Sequence, residues 1–240
     1  MKRFVALGFL MGLIGLVVPA LAADSAKKSE AKEALKELQE YIGGWKGSGG
    51  PDKPRPGPRD PIWSENVSWG WRFKGDDAWL SMAIKDGKLY KSGELRYLPG
   101  KKVYQLTLTN KEDKKLVFEG KIERETLKLQ RVDPDTKETE QITMNTAADG
   151  DRFIYHVAHK RKGTTIWRKD YQVACTREGV SLGKVDKKNE CVVTGGLGTR
   201  AISYKGETYY VCCSGCAEAF MENPEKYINE YKAKKAGKKK

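Results

Sequence analysis

The sequence predicts a mainly β protein: an antiparallel up-and-down barrel with a short N-terminal helix, followed by a small α+β cysteine module. Three observations predict it. Apolar residues recur at every second position from Tyr41 to about Ala174, no helical period interrupts that stretch, and all five cysteines fall at or after residue 175.

At the N-terminus, Lys2 and Arg3 precede an apolar run from Phe4 to Val18, then Pro19 and Ala20-Leu21-Ala22. A basic start, an apolar middle and an A-x-A site form an export signal. The run is shorter than the ~20 apolar residues a spanning helix needs. Residues 1–22 are therefore expected to be a cleaved signal peptide, and the mature chain to be periplasmic or secreted, with no membrane span.

The formal charge is +13, falling to +11 once Lys2 and Arg3 leave. Much of it sits in the C-terminal KAKKAGKKK, expected to be a disordered solubilising tail over 232–240. No basic-aromatic groove pattern accompanies it, so nucleic acid is not an expected partner. The sequence sets no oligomeric state.

Residues 25–42 predict an amphipathic helix, with Ala31, Leu35, Leu38 and Ile42 on one face. Period two follows. Representative runs are Trp69-Gly-Trp71-Arg-Phe73, Trp79-Leu-Ser-Met82-Ala-Ile84, Val103-Tyr-Gln-Leu106-Thr-Leu108 and Phe153-Ile-Tyr155-His-Val157. Breakers such as Lys74-Gly75-Asp76-Asp77, Pro99-Gly100 and Ala148-Asp149-Gly150 separate them, as hairpin turns do. Eight or more such strands without a helix between them are best relieved of open edges by closing into a barrel. Gly49 to Pro61 holds five of the nine prolines and reads as a long loop after the first strand.

The first strand carries Tyr41-Ile-Gly43-Gly44-Trp45-Lys-Gly47 directly after the helix. A helix followed by Gly-x-Trp resembles the lipocalin-type (calycin) barrels. That resemblance implies an internal cavity for a small apolar or amphipathic ligand, and names no binding residue. The six tryptophans (Trp45, Trp63, Trp69, Trp71, Trp79 and Trp167) either line such a cavity or fill the interior. His156 and His159, three apart on a strand, point to opposite faces and make a poor metal pair. With two histidines and no paired carboxylates, no catalytic set emerges, and the protein is not expected to be an enzyme.

The chemistry lies in the cysteines. Ala201 to Val211 reads as two short strands around Lys205-Gly206, running into Cys212-Cys213-Ser214-Gly215-Cys216 and a helix, with Asn223-Pro224 opening another. This is a treble-clef-like arrangement. Thiolates on a tight turn ahead of a helix N-terminus suit a soft ion, copper or zinc. The spacing also resembles the YHS/TRASH family of metal-binding modules: Cys191, twenty residues, Cys212, three residues, Cys216. With it go Tyr204-Lys-Gly206-Glu-Thr-Tyr209-Tyr210, Phe220 and Asn223-Pro224-Glu225-Lys226-Tyr227. The resemblance implies that Cys191, Cys212 and Cys216 are metal ligands, in a role in heavy-metal trafficking or resistance. The chain departs from the family in Cys191-Val-Val-Thr, which offers no methionine, and in Cys213, where a serine is common. Cys213 also forms C-x-x-C with Cys216. Cys175 and Cys213 stay open as further ligands, disulfide partners or free thiols.

The expected organisation is a signal peptide over 1–22, a lipocalin-like barrel over 23–174, a linker over 175–187, a metal-binding module over 188–231 and the basic tail. The expected function is that of an exported protein holding copper or zinc. The alternative is a small-ligand-binding barrel whose cysteines form structural disulfides or a structural zinc site.

Overall fold

Ten strands account for the period-two stretch. The computed structural model describes residues 19–55, 57–179 and 189–237. The strands are β1 (Gly43–Pro51), β2 (Trp63–Lys74), β3 (Asp77–Lys85), β4 (Tyr90–Leu98), β5 (Val103–Asn110), β6 (Lys115–Glu123), β7 (Thr126–Val132), β8 (Thr139–Ala147), β9 (Arg152–Lys160) and β10 (Arg168–Arg177). Each pairs antiparallel with its neighbour in sequence, and β1 pairs with β10 to close the barrel.

Alternation decides which side chains turn inward. Val67, Trp69 and Trp71 on β2 are buried while Ser68 and Gly70 between them face outward. Trp45, Trp69, Phe153 and Tyr155 form a chain of ring contacts at 5.6–6.3 Å through the interior. Three of the six tryptophans thus fill the barrel. Trp79 instead stacks outside under Arg96, and Trp167 lies beside Lys160. Two strands, β4 and β10, lack a legible period in the sequence. On β4 only Tyr90 and Leu95 are buried, and β10 buries its apolar Val173 and Cys175 among polar neighbours.

The N-terminal helix, α1 (Pro19–Lys36), starts earlier than expected and stops six residues short of Ile42. Its end tightens through Glu37 N–H to Ala34 C=O and Leu38 N–H to Leu35 C=O, and a 3₁₀ turn (Gln39–Tyr41) follows. The tightening has a tertiary cause. Tyr41 must turn into the barrel end, where its hydroxyl donates to the Met144 carbonyl at 2.7 Å and its carbonyl accepts from the Trp45 indole at 2.8 Å. Arg177 locks the same rim. Its guanidinium donates to the carbonyls of Ile42, Glu40 and Gly150 and lies 4.2 Å from the Trp45 ring.

Beyond the barrel come β11 (Arg200–Tyr204) and β12 (Glu207–Val211), then α2 (Ser214–Glu222) and α3 (Pro224–Gly237). The hairpin turns on Lys205 and Gly206, both at positive φ. Asn223 accepts from the Lys226 N–H, capping α3. Three expectations change here. Cys175 belongs to β10, paired with Gly47 and Phe153, so the barrel runs to Arg177 and not to 174. The prolyl loop begins only after Pro51, because Gly49 to Pro51 still pair in β1. The basic tail continues α3 as helix to Gly237, since its lysines and alanines are good helix formers once Pro224 has started the turn. The expected signal peptide lies outside the described residues up to residue 18, as do 180–188 of the expected linker and 238–240. Among the described residues no helix is long and apolar enough to cross a membrane.

One hydrophobic cluster runs without a break from the barrel interior into the C-terminal module. The two meet where α2 lies along β2. A Cβ on Gly215 would sit 1.8 Å from the Trp71 carbonyl oxygen, so only glycine permits this approach. Gln39 adds a hydrogen bond to Thr194 at 3.0 Å.

Candidate metal centre

Two stretches of backbone bring the sulfurs together. Cys191 sits in a tight turn, where its carbonyl accepts from Gly195 N–H and its own N–H reaches the Gly196 carbonyl. Val192 N–H bonds to the Tyr210 carbonyl, laying this turn against β12. Cys212 follows β12 directly. Cys213 is the N-cap of α2 in extended conformation, and Cys216 lies in that helix's first turn. Phe220, in the same helix as Cys216, packs against the rings of Tyr209 at 5.5 Å and Tyr204 at 5.8 Å.

The sulfurs of Cys191, Cys212 and Cys216 all lie within 4.8 Å of one another, and all three residues are buried. Cys212 and Cys216 are 3.3 Å apart. Two thiolates of one tetrahedral zinc, each bonded at about 2.3 Å, stand about 3.8 Å apart, so small side-chain adjustments would let one ion reach all three. The donor set therefore fits a soft cation. The Thr194 hydroxyl lies 3.7 Å from the Cys212 sulfur and is itself buried.

The electrostatics follow from crowding. Cys191 is held well below the usual thiol range by hydrogen bonds from Cys212 and then Cys216, which outweigh burial. The same contacts with Cys191 push Cys212 and Cys216 up, and burial adds to it. The trio thus accepts one negative charge readily and resists the next. A bound cation relieves that resistance, which is how metal affinity and thiol ionisation are linked.

The remaining cysteines have other surroundings. Cys175 is in the barrel wall, where burial and the nearby Glu65 carboxylate push its thiol up to about 12. It lies outside the three-sulfur cluster. Cys213 is half-buried, its sulfur 3.9 Å from that of Cys212 and accepting from the Trp71 backbone N–H at 3.3 Å. All five cysteines carry free thiols. The histidines each meet an aspartate: His156 with Asp52 at 2.7 Å and His159 with Asp170 at 2.8 Å.

Sequence reasoning missed Glu65. It is 1% exposed, faces the barrel interior, and accepts from Tyr155 at 2.6 Å and Trp63 at 2.9 Å. Its place in the β2 alternation, two before Val67, was the available signal. Near it, at the rim opposite α1, opens a hollow of about 790 Å³ edged by Tyr90, Arg131, Glu140, His159 and Asp170.

Residues 198–231 match the family model described as YHS domain. The C-terminal module is thus of YHS type, and it stands on a closed ten-stranded antiparallel barrel. The match includes Cys212 and Cys216, whereas Cys191 enters the cluster from seven residues ahead of it. No curated protein matches the chain. Among solved structures, the crystal structure of Rv2717c from M. tuberculosis matches with 20% identity and a TM-score of 0.40, covering 60% of this chain and 97% of that one.

Proposed function

We propose that this is an exported soft-metal-binding protein that holds copper(I), or zinc as the second choice, through Cys191, Cys212 and Cys216. The observation that carries the reading is the convergence of three buried sulfurs from two separate parts of the chain. Sulfur donors select soft ions over magnesium or calcium. A zinc site of structural type takes four protein ligands, whereas the cluster offers three among the described residues. A monovalent d¹⁰ ion is satisfied by two or three sulfurs, which favours copper(I). The basic start, apolar run and A-x-A site support export to the periplasm or beyond, where such binding would serve metal trafficking or resistance with the barrel as scaffold.

The test is titration of the reduced protein with copper(I) against a competing chelator. About one equivalent is expected to bind, and Cys216→Ser to weaken that binding more than about 100-fold, beyond the 10–100-fold typical of groups that only support a ligand. Unchanged binding in the variant would remove the assignment.

A second reading, a small-ligand-binding barrel, has the rim hollow in its favour. That hollow is edged by charged groups while rings fill the interior, so its ligand is polar rather than apolar. Native mass spectrometry separates the two by the mass retained, a metal ion or an organic molecule.

A further inference from the structure

Cys213 differs from the trio in what it faces. A cleft of about 400 Å³ runs between the module and the outer wall of the barrel, and the lining includes Cys212 and Cys213 but neither Cys191 nor Cys216. Its floor is made of two cross-strand pairs of small outward-facing residues, Ser68 with Ala83 and Gly70 with Ser81. Cys213 packs over Gly70, where an added Cβ would stand 3.8 Å from its sulfur, and the short side chains around it keep the cleft beside that sulfur clear. Arg72, Arg200 and Glu178 also line it; Glu178 faces Lys46 at 3.5 Å, whereas neither arginine forms an ion pair among the described residues, so the lining carries a net positive charge. The sulfurs make a stepped path inward, 3.9 Å from Cys213 to Cys212 and 3.3 Å from Cys212 to Cys216. Both steps are close to the ~3.8 Å separation of two sulfurs that share one ion. A hydrogen bond from the Trp71 N–H fixes the Cys213 sulfur at the outer end.

We propose that Cys213 is the receiving thiol of the site: it takes a soft metal ion from an anionic thiolate complex seated in the cleft beside Arg72 and Arg200, and passes it to the buried trio through Cys212. This rests on the metal-binding reading above. In the first step the Cys213 sulfur bonds to the ion, one donor thiolate leaves, and the Cys213 proton goes with it. In the second the Cys212 sulfur bonds in the same manner as the other donor thiolate departs with its proton. Cys191 and Cys216 then close on the ion, their remaining protons pass to solvent, and the bond to Cys213 breaks as that sulfur regains a proton. The ion keeps its charge throughout, so no oxidant or reductant is needed. The arginines draw the anionic complex in, as fixed positive charge raises the local concentration of an oppositely charged ligand.

The experiment delivers copper(I) as its glutathione complex to the full mature chain and follows thiolate-to-copper charge-transfer absorbance by stopped flow. Chelator competition on the same samples gives equilibrium affinity. Cys213→Ser keeps an acceptor for the Trp71 N–H. Its expected result is loading slower by at least about tenfold with affinity within about threefold of the parent, because one outer group is lost and the three ligands remain. Ala83→Phe fills the cleft floor without touching a thiol and should slow loading in the same way, which decides the matter if Cys213→Ser does not fold. Loading at the parental rate in these variants overturns the relay while leaving the metal site standing. A collapse of equilibrium affinity in Cys213→Ser, with one sulfur scatterer fewer by X-ray absorption, also overturns it by making Cys213 a resident ligand. If the parent itself binds no copper(I), the metal-binding reading fails, and the relay with it.

Discussion

The barrel and the module fill their interiors by different means. The barrel is packed with rings, Trp45, Trp69 and Phe153 among them, inside a sheet whose every strand has two partners. The module's centre is sulfur, covered on one side by Phe220 and Tyr209, and its sheet has only two strands. A segment that short cannot bury enough apolar surface to stand alone. It leans on β2 through α2, and a metal ion would supply the rest of its cohesion.

Phe153 in the barrel and Phe220 in the module are both fully buried. Phe153→Ala is expected to cost about 3–5 kcal/mol, with or without copper(I), in urea unfolding. Phe220→Ala is expected to cost a similar amount in the metal-free protein, and to recover part of it when one equivalent of copper(I) is added, because a ligand of the folded state stabilises by mass action. Equal losses in both conditions would erase the distinction.

Gly215→Ala comes next. The added methyl meets the Trp71 carbonyl, and forced overpacking of this kind costs about 1–3 kcal/mol. Amide chemical-shift changes should centre on residues 70–72 and 212–216 and leave the rim near Arg177 unmoved. A shift confined to α2 would mean that α2 does not rest on β2 in solution.

Alkaline pH sharpens the comparison further. Burial raises the Cys175 thiol from 9.0 to about 12 in the folded barrel, and raises the Tyr41 and Tyr90 hydroxyls as well. A group whose folded value is raised contributes stability that is whole below its unfolded value. The contribution of Cys175 is thus complete below about pH 9 and lost as pH climbs toward 12. Urea midpoints should fall over that window, and less steeply in Cys175→Ala. Iodoacetamide at pH 8 should accordingly label Cys213 and spare Cys175, read by peptide mass mapping.

The smallest expected effect is at the surface. Lys101 pairs with Glu119 at 2.9 Å while largely exposed, and Lys101→Ala should change stability by no more than about 0.5 kcal/mol. A larger loss would show the outer face of the barrel to be more than solvent covering.

Much of the architecture was legible because its cause is local. Trp69-Gly-Trp71-Arg-Phe73 can bury its rings on one face only as a strand, and Lys205-Gly206 between two short alternating runs marks a hairpin turn. The strands β4 and β10 were not legible, because each takes its place from its neighbours: Leu95 pairs with Leu80 and Leu106, and Cys175 with Gly47 and Phe153. The helix end was missed for the same reason, since Tyr41 turns inward to meet Met144, over a hundred residues away. Of the cysteine cluster, Cys212 and Cys216 were visible as a spaced pair and Cys191 through the twenty-residue spacing of the family pattern, while Glu65 and the small-residue floor at Ser68, Gly70, Ser81 and Ala83 carried no local mark of their role.

Periodicity and residue type act over a few neighbours, and they were enough to set the secondary-structure rhythm, the separation of barrel and cysteine module, and the atoms with metal-binding chemistry. The fold carried out the expected meeting of Cys191 with Cys212 and Cys216, and it alone set Cys175 apart in the barrel wall and turned Cys213 toward a cleft. Those outcomes depend on contacts closed between distant parts of the chain, which register and packing choose and composition does not.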